Sequence, residues 1–232
     1  MKITNRSSQT EIFVTGEGDN YYERNKSAFG NEEQRHAEKL LCEALSSFRA
    51  EIKGVLEIGC SSGMKLEYLC KYFGASGKGI DPSSKAVRDG NERLSRSGAT
   101  NLALQVGTAD SLPYKDGEFD LVYFAFCLYL VDRDKLFAAI AEADRVLKPG
   151  GFLAIVDFDP AQRHKRSYHH RENVFSYKQP YADLFVASGH YYLVAKSSFS
   201  HSGHYFAKDS DERVSLGLLY KEPDAYWVKG SE

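Results

Sequence analysis

The sequence predicts an α/β fold built on a doubly wound parallel sheet. Three observations carry this. Short apolar runs alternate with amphipathic helical patterns between about residues 54 and 157. The first run, Val55-Leu56-Glu57-Ile58, passes straight into a small-residue turn, Gly59-Cys60-Ser61-Ser62-Gly63, and a helical pattern follows at once. The run from Phe119 to Phe126 is almost continuously apolar, as a central parallel strand covered on both faces requires.

The totals fit this class and exclude others. A chain of 232 residues can bury a sizeable core, and 42% hydrophobic with 27% charged content is globular. A net charge of −2 argues against nucleic acid or an anionic membrane surface as partner. No apolar run approaches the roughly 18–20 residues that cross a bilayer. Met1 to Arg6 lacks the apolar core of a signal peptide, and Cys42, Cys60, Cys70 and Cys127 show neither a CxxC pair nor zinc spacing. Reduced thiols in a cytoplasmic protein are expected.

Taken in order, residues 1–19 are polar and predict a flexible start. Asn20 to Asn25, with Tyr21 and Tyr22, forms an aromatic arm that either packs on the core or closes over a ligand. Glu32 to Phe48 predicts an amphipathic helix, with Leu40, Leu41, Ala44, Leu45 and Phe48 on one side. Strand one is 54–58. Its helix runs from about 63 to 73 and ends at Gly74. Strand two, 77–81, leads through Pro82-Ser83-Ser84 into a helix that Gly98 closes. Strand three is 102–106 and strand four 119–126. A helix from Asp132 to Leu147 turns Leu136, Phe137, Ile140, Ala143, Val146 and Leu147 to the core, and Lys148-Pro149-Gly150-Gly151 stops it. Strand five is 152–157. A polar, basic stretch at 160–180, a short helix at 181–187 and two strands, 191–201 and 213–221, complete the chain. The last two strands predict an antiparallel pair added to the sheet.

Gly59 and Gly63 after a buried strand, at a helix start, make a cradle for an anionic or nucleotide ligand. Asp81 ends strand two, where a carboxylate can accept both hydroxyls of a ribose. Asp110 follows strand three, where it could take the amino group of an adenine while Leu112 covers the ring. Glu57-Ile58-Gly59-Cys60-Ser61-Ser62-Gly63, Asp81, Ala109-Asp110-Ser111-Leu112-Pro113, Phe119-Asp120-Leu121-Val122 and Leu147-Lys148-Pro149-Gly150-Gly151 occur in that order. Together they resemble a class I S-adenosylmethionine-dependent methyltransferase of the small-molecule, type 11-like kind, over about residues 35–160.

The resemblance implies a Rossmann-like sheet of seven strands, the seventh antiparallel, and S-adenosyl-L-methionine as cofactor. It implies a cofactor site of Tyr21, Glu57, Gly59, Cys60, Gly63, Asp81, Pro82, Ala109, Asp110, Ser111 and Phe126. Residues 1–30 then read as an N-terminal arm or lid. Residues 31–232 read as one methyltransferase domain, with an acceptor-side insertion at about 158–182. Two departures stand out. Ser61 replaces the family's middle glycine, which is tolerable if its backbone angles are ordinary. Tyr129 stands where many relatives carry a His just after strand four.

Six of the seven histidines lie beyond residue 160, and the segment Arg163 to Arg171 holds four Arg/Lys, three His and no acid. It leaves the carboxyl edge of the sheet, next to the expected acceptor. An anionic small molecule or sugar is therefore expected as substrate, with O-methylation favoured. Arg166 and Arg171 would clamp charge, His169 or His170 would act as base, and Tyr129, Tyr177 and Lys178 would complete the pocket. His201 and His204, by Gly203 in a turn between the last strands, are read as structural or surface residues. No histidine spacing suits a metal, and none is expected. Two alternatives remain on sequence. One is an NAD-dependent oxidoreductase, which would want glycines at 59, 61 and 64. The other is a non-catalytic S-adenosylmethionine-binding module. The oligomeric state is not legible.

Overall fold

The computed structural model describes residues 8–27 and 35–224. Among the described residues nine strands are seen: β1 (Gly54–Ile58), β2 (Ser76–Asp81), β3 (Leu102–Val106), β4 (Phe119–Ala125), β5 (Leu147–Phe158), β6 (His164–Ser167), β7 (Phe175–Lys178), β8 (Tyr191–Ser200) and β9 (Arg213–Lys221). Seven form one sheet in the order β3-β2-β1-β4-β5-β9-β8. β1 to β5 are parallel, and β9 runs against both of its neighbours, β5 and β8. The α/β, doubly wound, seven-stranded sheet with an antiparallel final strand is therefore present. Strand order reverses between β1 and β4, so the crevice of the sheet opens at their carboxyl ends.

The central strands are apolar because both faces are covered. Val55, Leu56, Leu121, Val122 and Phe124 are all fully buried. One face carries α3 (His36–Ser47), α4 (Met64–Phe73) and α5 (Ser84–Ser97), which bring Leu41, Leu45, Leu66, Leu69 and Leu94 to the core. The other carries α6 (Leu136–Val146) and α7 (Ala182–Val186), with Ala139, Ala143, Val146 and Phe185. The α5 start is capped by Ser83, whose Oγ accepts from the Ala86 N–H at 3.0 Å. Among the described residues no helix is long and apolar enough to cross a membrane.

Several expectations need correction. The start of the first long helix at Glu32 lies outside the described residues. The polar N-terminal stretch is helical from Gln9 onward: α1 (Gln9–Ile12), a π-helical turn (Phe13–Glu17) and α2 (Gly18–Asn25). Ser8 and Glu11 form a capping box at its start. α6 begins at Leu136, because Asp132 is drawn off to accept from the backbone N–H and hydroxyl of Thr10. Phe137 is 73% exposed, since Leu136, Ala139, Ala143 and Val146 set the inward stripe and place it outside. Phe48 is also exposed, at the α3 C-cap, where it stacks on Phe152. β5 begins directly at Leu147: the residues Lys148 to Gly151 form a bulge, with pairing stepping from Phe119↔Leu147 to Leu121↔Phe152. The basic stretch folds into a separate two-stranded hairpin of β6 and β7.

Candidate active site

The site grows from the turn after β1. Gly59 has φ +79°, and a Cβ there would lie 2.8 Å from Cys127 Cβ, so only glycine fits. The Gly59 and Cys60 N–H groups both donate to the Ile80 carbonyl, tying the turn to β2. Ser61 departs from the sequence-based condition. Its φ is +49°, in the left-handed region, and not ordinary. That bend aims its N–H at Asp81, donating to Oδ2 at 2.8 Å. The other Asp81 oxygen accepts from the Ser83 N–H at 2.8 Å. A carboxylate has about four lone-pair directions, so Asp81 keeps acceptor capacity toward the cleft it lines. Burial pushes its pKa up to about 6.

Glu57, on β1, is buried and accepts from the Leu66 N–H at 2.9 Å. Burial pushes its pKa up to about 8, against the pull of Lys65. Beside it, Glu38 of α3 accepts from the Tyr123 hydroxyl at 2.6 Å through Oε1, and Lys65 stands 3.8 Å from the same oxygen. Glu38 Oε2 and Ser61 Oγ are buried with no hydrogen-bond partner among the described residues. Such unpaired polar atoms are costly, and they mark a place built for another group.

One cleft of about 650 Å³ reaches from Pro82, Thr108, Ala109 and Asp110, past Asp81, Gly59, Cys60 and Glu57, to Phe126 and Tyr129. That volume lies within the roughly 300–1,000 Å³ of small-molecule sites. Tyr21 and Tyr22 of α2 line it from above the sheet edge. Its far end is walled by His36, Phe199, His201 and His204. Phe126 closes β4 with φ +55°, and its ring meets Phe158 and His201 edge-on at 5.8 and 5.6 Å. The His36 and His204 rings are 4.4 Å apart. Burial first, then His204, holds His36 below the ordinary imidazole range, and burial does the same to His201. Tyr129 is buried, shares a side-chain hydrogen bond with Tyr21, and is pushed well up by burial. Beneath it Asp157 accepts the Tyr129 N–H at 3.2 Å, and burial raises its pKa to about 7. Among the described residues, no group of three or more His, Cys, Asp or Glu could hold a metal ion.

Of the residues selected by sequence, the cleft gathers Tyr21, Glu57, Gly59, Cys60, Asp81, Pro82, Ala109, Asp110, Phe126 and Tyr129. Asp110 also faces Lys135 at 3.4 Å. Gly63 supports the turn from behind, at the α4 start. Ser111 is exposed beyond the lining, and Leu112 packs into the α6-side core, so Thr108 and Ala109 form the wall expected of Leu112.

His169 and His170 do not reach the cleft. They sit exposed between β6 and β7, where the hairpin carries them outward, and the His170 ring packs against Tyr168. Arg166 is ion-paired to Asp211, and Arg171 is exposed outside the cleft. Tyr177 lies under the Arg133 guanidinium. Lys178 is buried with its ammonium 3.7 Å above the Phe158 ring and donates to the Asp211 carbonyl. None of these six lines the cleft. Sequence reading missed Glu38, His36 and Lys65, and placed His201 and His204 as structural or surface residues.

Residues 55–151 match the model of a methyltransferase domain family. An uncharacterized methyltransferase of Synechocystis sp. is 38% identical over 103 residues, 44% of this chain and 46% of that protein. Norajmaline N-methyltransferase of Rauvolfia serpentina is 34% identical over 108 residues, 46% of this chain and 36% of the relative. The chain thus spans under half the length of these curated relatives. Among solved structures, Burkholderia thailandensis 1,6-didemethyltoxoflavin-N1-methyltransferase, with bound 1,6-didemethyltoxoflavin and S-adenosylhomocysteine, superposes with a TM-score of 0.72 at 12% identity. The match covers 96% of this chain and 93% of that one.

Proposed function

We propose that this chain, whose residues 55–151 match a methyltransferase domain family, transfers a methyl group from S-adenosylmethionine to a small-molecule acceptor. The observation that carries the reading is Asp81. It is fixed by the Ser61 and Ser83 N–H groups at the carboxyl end of β2, and it faces the cleft with acceptor capacity to spare. A ribose diol is the ligand part that suits such a carboxylate.

Pro82, Ala109 and Asp110 would hold the adenine end, Asp81 the ribose, and Gly59, Cys60 and Glu57 the amino-acid end. Bound there, the cofactor supplies a methyl already activated on a sulfonium. The chain's own task is then to place the acceptor in line and to exclude water, so that most of the gain comes from proximity and orientation. Phe126, Tyr129 and the Tyr21 side of the arm define that space. Oxygen stays the favoured acceptor atom. The anionic character expected of the acceptor loses its support, because Arg166 is spent on Asp211 and Arg171 lies outside the cleft. A nicotinamide cofactor fits less well, since Ser61 and Met64 stand where that fold wants glycine. Four free cysteines, three of them buried, agree with a reducing compartment.

Calorimetric titration with S-adenosylhomocysteine and with NAD tests the reading. S-adenosylhomocysteine should bind and NAD should not. Asp81→Asn puts an amide against two N–H donors and should weaken the binding about tenfold or more. Binding of NAD alone, or an unchanged affinity in the variant, overturns it.

A further inference from the structure

We infer that His201, on the turn after β8, is the base that takes the acceptor's proton, and that the acceptor is a flat aryl or heteroaryl ring carrying a hydroxyl. This rests on the methyltransferase reading and adds a catalytic residue and a substrate class to it.

The placement of His201 is the first ground. Its ring stacks on Phe158 at 5.3 Å and 22°, and stands edge-on to Phe126 at 5.6 Å and 87°. Two aromatic partners therefore hold the imidazole plane. No hydrogen bond to either ring nitrogen is seen among the described residues, and the ring is exposed to the cleft that Asp81 and Gly59 line. A base needs that combination: a fixed plane and an open nitrogen at the acceptor end.

The surroundings decide its charge. Burial against the rings disfavours the imidazolium, Glu212 favours it, and Lys178, on the Phe158 ring, opposes it. His201 is thus held below the ordinary imidazole range and stands neutral at neutral pH. A weak base of this kind selects an acidic proton. An aryl hydroxyl, with a pKa of about 10 for the phenol of Tyr, lies within its reach. An alkyl or sugar hydroxyl, nearer the roughly 15.7 of water, is far less accessible.

The walls agree. Phe126, Phe199, His36 and Tyr21 line the cleft with aromatic rings. The expected clamp for an anion lies elsewhere. Flat rings pack well against such surfaces at offset or edge-on geometry. In the reaction the acceptor oxygen forms the new O–CH3 bond as the S–CH3 bond of the sulfonium breaks. The sulfur keeps the electron pair, and the acceptor's proton passes to His201 and then to solvent.

The test uses the whole chain, S-adenosylmethionine, and a panel of catechol, 8-hydroxyquinoline and 4-methylumbelliferone set against glucose 1-phosphate and a primary alcohol. Methylation of the aryl hydroxyls alone is expected. His201→Gln should lower kcat about 100-fold, with the S-adenosylhomocysteine Kd within twofold, and should erase the acidic limb of the pH profile. The pre-ionised acceptor 4-nitrophenol at alkaline pH should restore the variant's rate. Independently of turnover, the His201 imidazole resonances should shift when 8-hydroxyquinoline is added. Unchanged kcat and pH profile in His201→Gln overturn the base. Turnover confined to sugar or alkyl acceptors, or none with any aryl hydroxyl, overturns the substrate class. Failure of S-adenosylhomocysteine to bind the unaltered protein is a separate result, and it would overturn the cofactor reading instead.

Discussion

At the scale of single residues, Ser61 shows how the turn tolerates a side chain where glycine is the easier choice. A non-glycine residue in the left-handed region costs about 1–2 kcal/mol, and the Ser61 hydroxyl is buried without a partner among the described residues. Its N–H contact with Asp81 is a backbone contact and would survive substitution. Ser61→Gly is therefore expected to raise stability by about 0.5–1 kcal/mol, after the extra freedom glycine gives the unfolded chain. Urea unfolding of the ligand-free protein measures this. A loss of stability would mean that the hydroxyl has a partner in solution. The residues that the sequence revealed are those whose type is dictated by the backbone or by chemistry at a fixed place: Gly59, Asp81 and Asp110. Glu38 was hidden because in a helical pattern it reads as one more surface charge. The signal available was Tyr123, a hydroxyl in the middle of a buried strand that must find a partner somewhere.

At the scale of elements, the N-terminal arm was the least legible part. Its stretch is polar, so it carries no periodic apolar stripe. What holds it is specific pairing. Gln9 donates to the Leu130 and Phe175 carbonyls and accepts from the Phe175 N–H. At the other end, Asp19 accepts from the Ser83 hydroxyl at 2.7 Å and from the Lys85 N–H at 3.0 Å, across the start of α5. Burial works against the Asp19 charge, but hydrogen bonds from Ser83, Lys85 and Ser84 prevail and hold its pKa below the usual range. The arm thus bridges the α5 start and the turn after β4. Asp19→Ala should loosen it at a cost of about 1 kcal/mol, by analogy with a lost helix cap. The expected readouts are a several-fold faster release of S-adenosylhomocysteine in stopped flow and earlier proteolytic cutting before residue 27. Equal release rates would argue that the arm is a fixed wall. The strands and long helices, by contrast, follow from periodicity and glycine stops. β5 reaches back past its expected start because Leu147 already pairs with Phe119, while Lys148 to Gly151 bulge out before pairing resumes at Phe152.

At the scale of the whole molecule, the carboxyl ends of the strands hold three carboxylates with raised pKa values. Burial is the leading cause for Glu57 (about 8), Asp157 (about 7) and Asp81 (about 6). In the unfolded chain such groups ionise near about 4. The folded chain therefore keeps protons that the unfolded chain has lost, and stability falls as pH rises toward the folded values. His36 and His201, held below their ordinary range, act oppositely, but their contribution is complete by about pH 6.5. Between about pH 6.5 and 8.5 the carboxylates dominate. A fall in unfolding free energy on the order of 2 kcal/mol is expected across that interval. Glu57→Gln should remove most of Glu57's share, while its amide oxygen keeps the Leu66 N–H contact. Denaturant titrations at the two pH values decide it, and flat or rising stability would contradict the account.

The placement of β9 between β5 and β8 has a consequence for inheritance. The turn that brings His201 and His204 to the cleft belongs to the last third of the chain, whereas the groove beneath Asp81 belongs to the β1–β4 segment. The two parts meet along the β4–β5–β9 seam, where backbone pairing needs no particular side chains. On the proposed reading, change in that turn alters the acceptor end of the cleft and leaves the groove beneath Asp81 untouched. A lineage built on this plan can change its acceptor by rewriting that one turn.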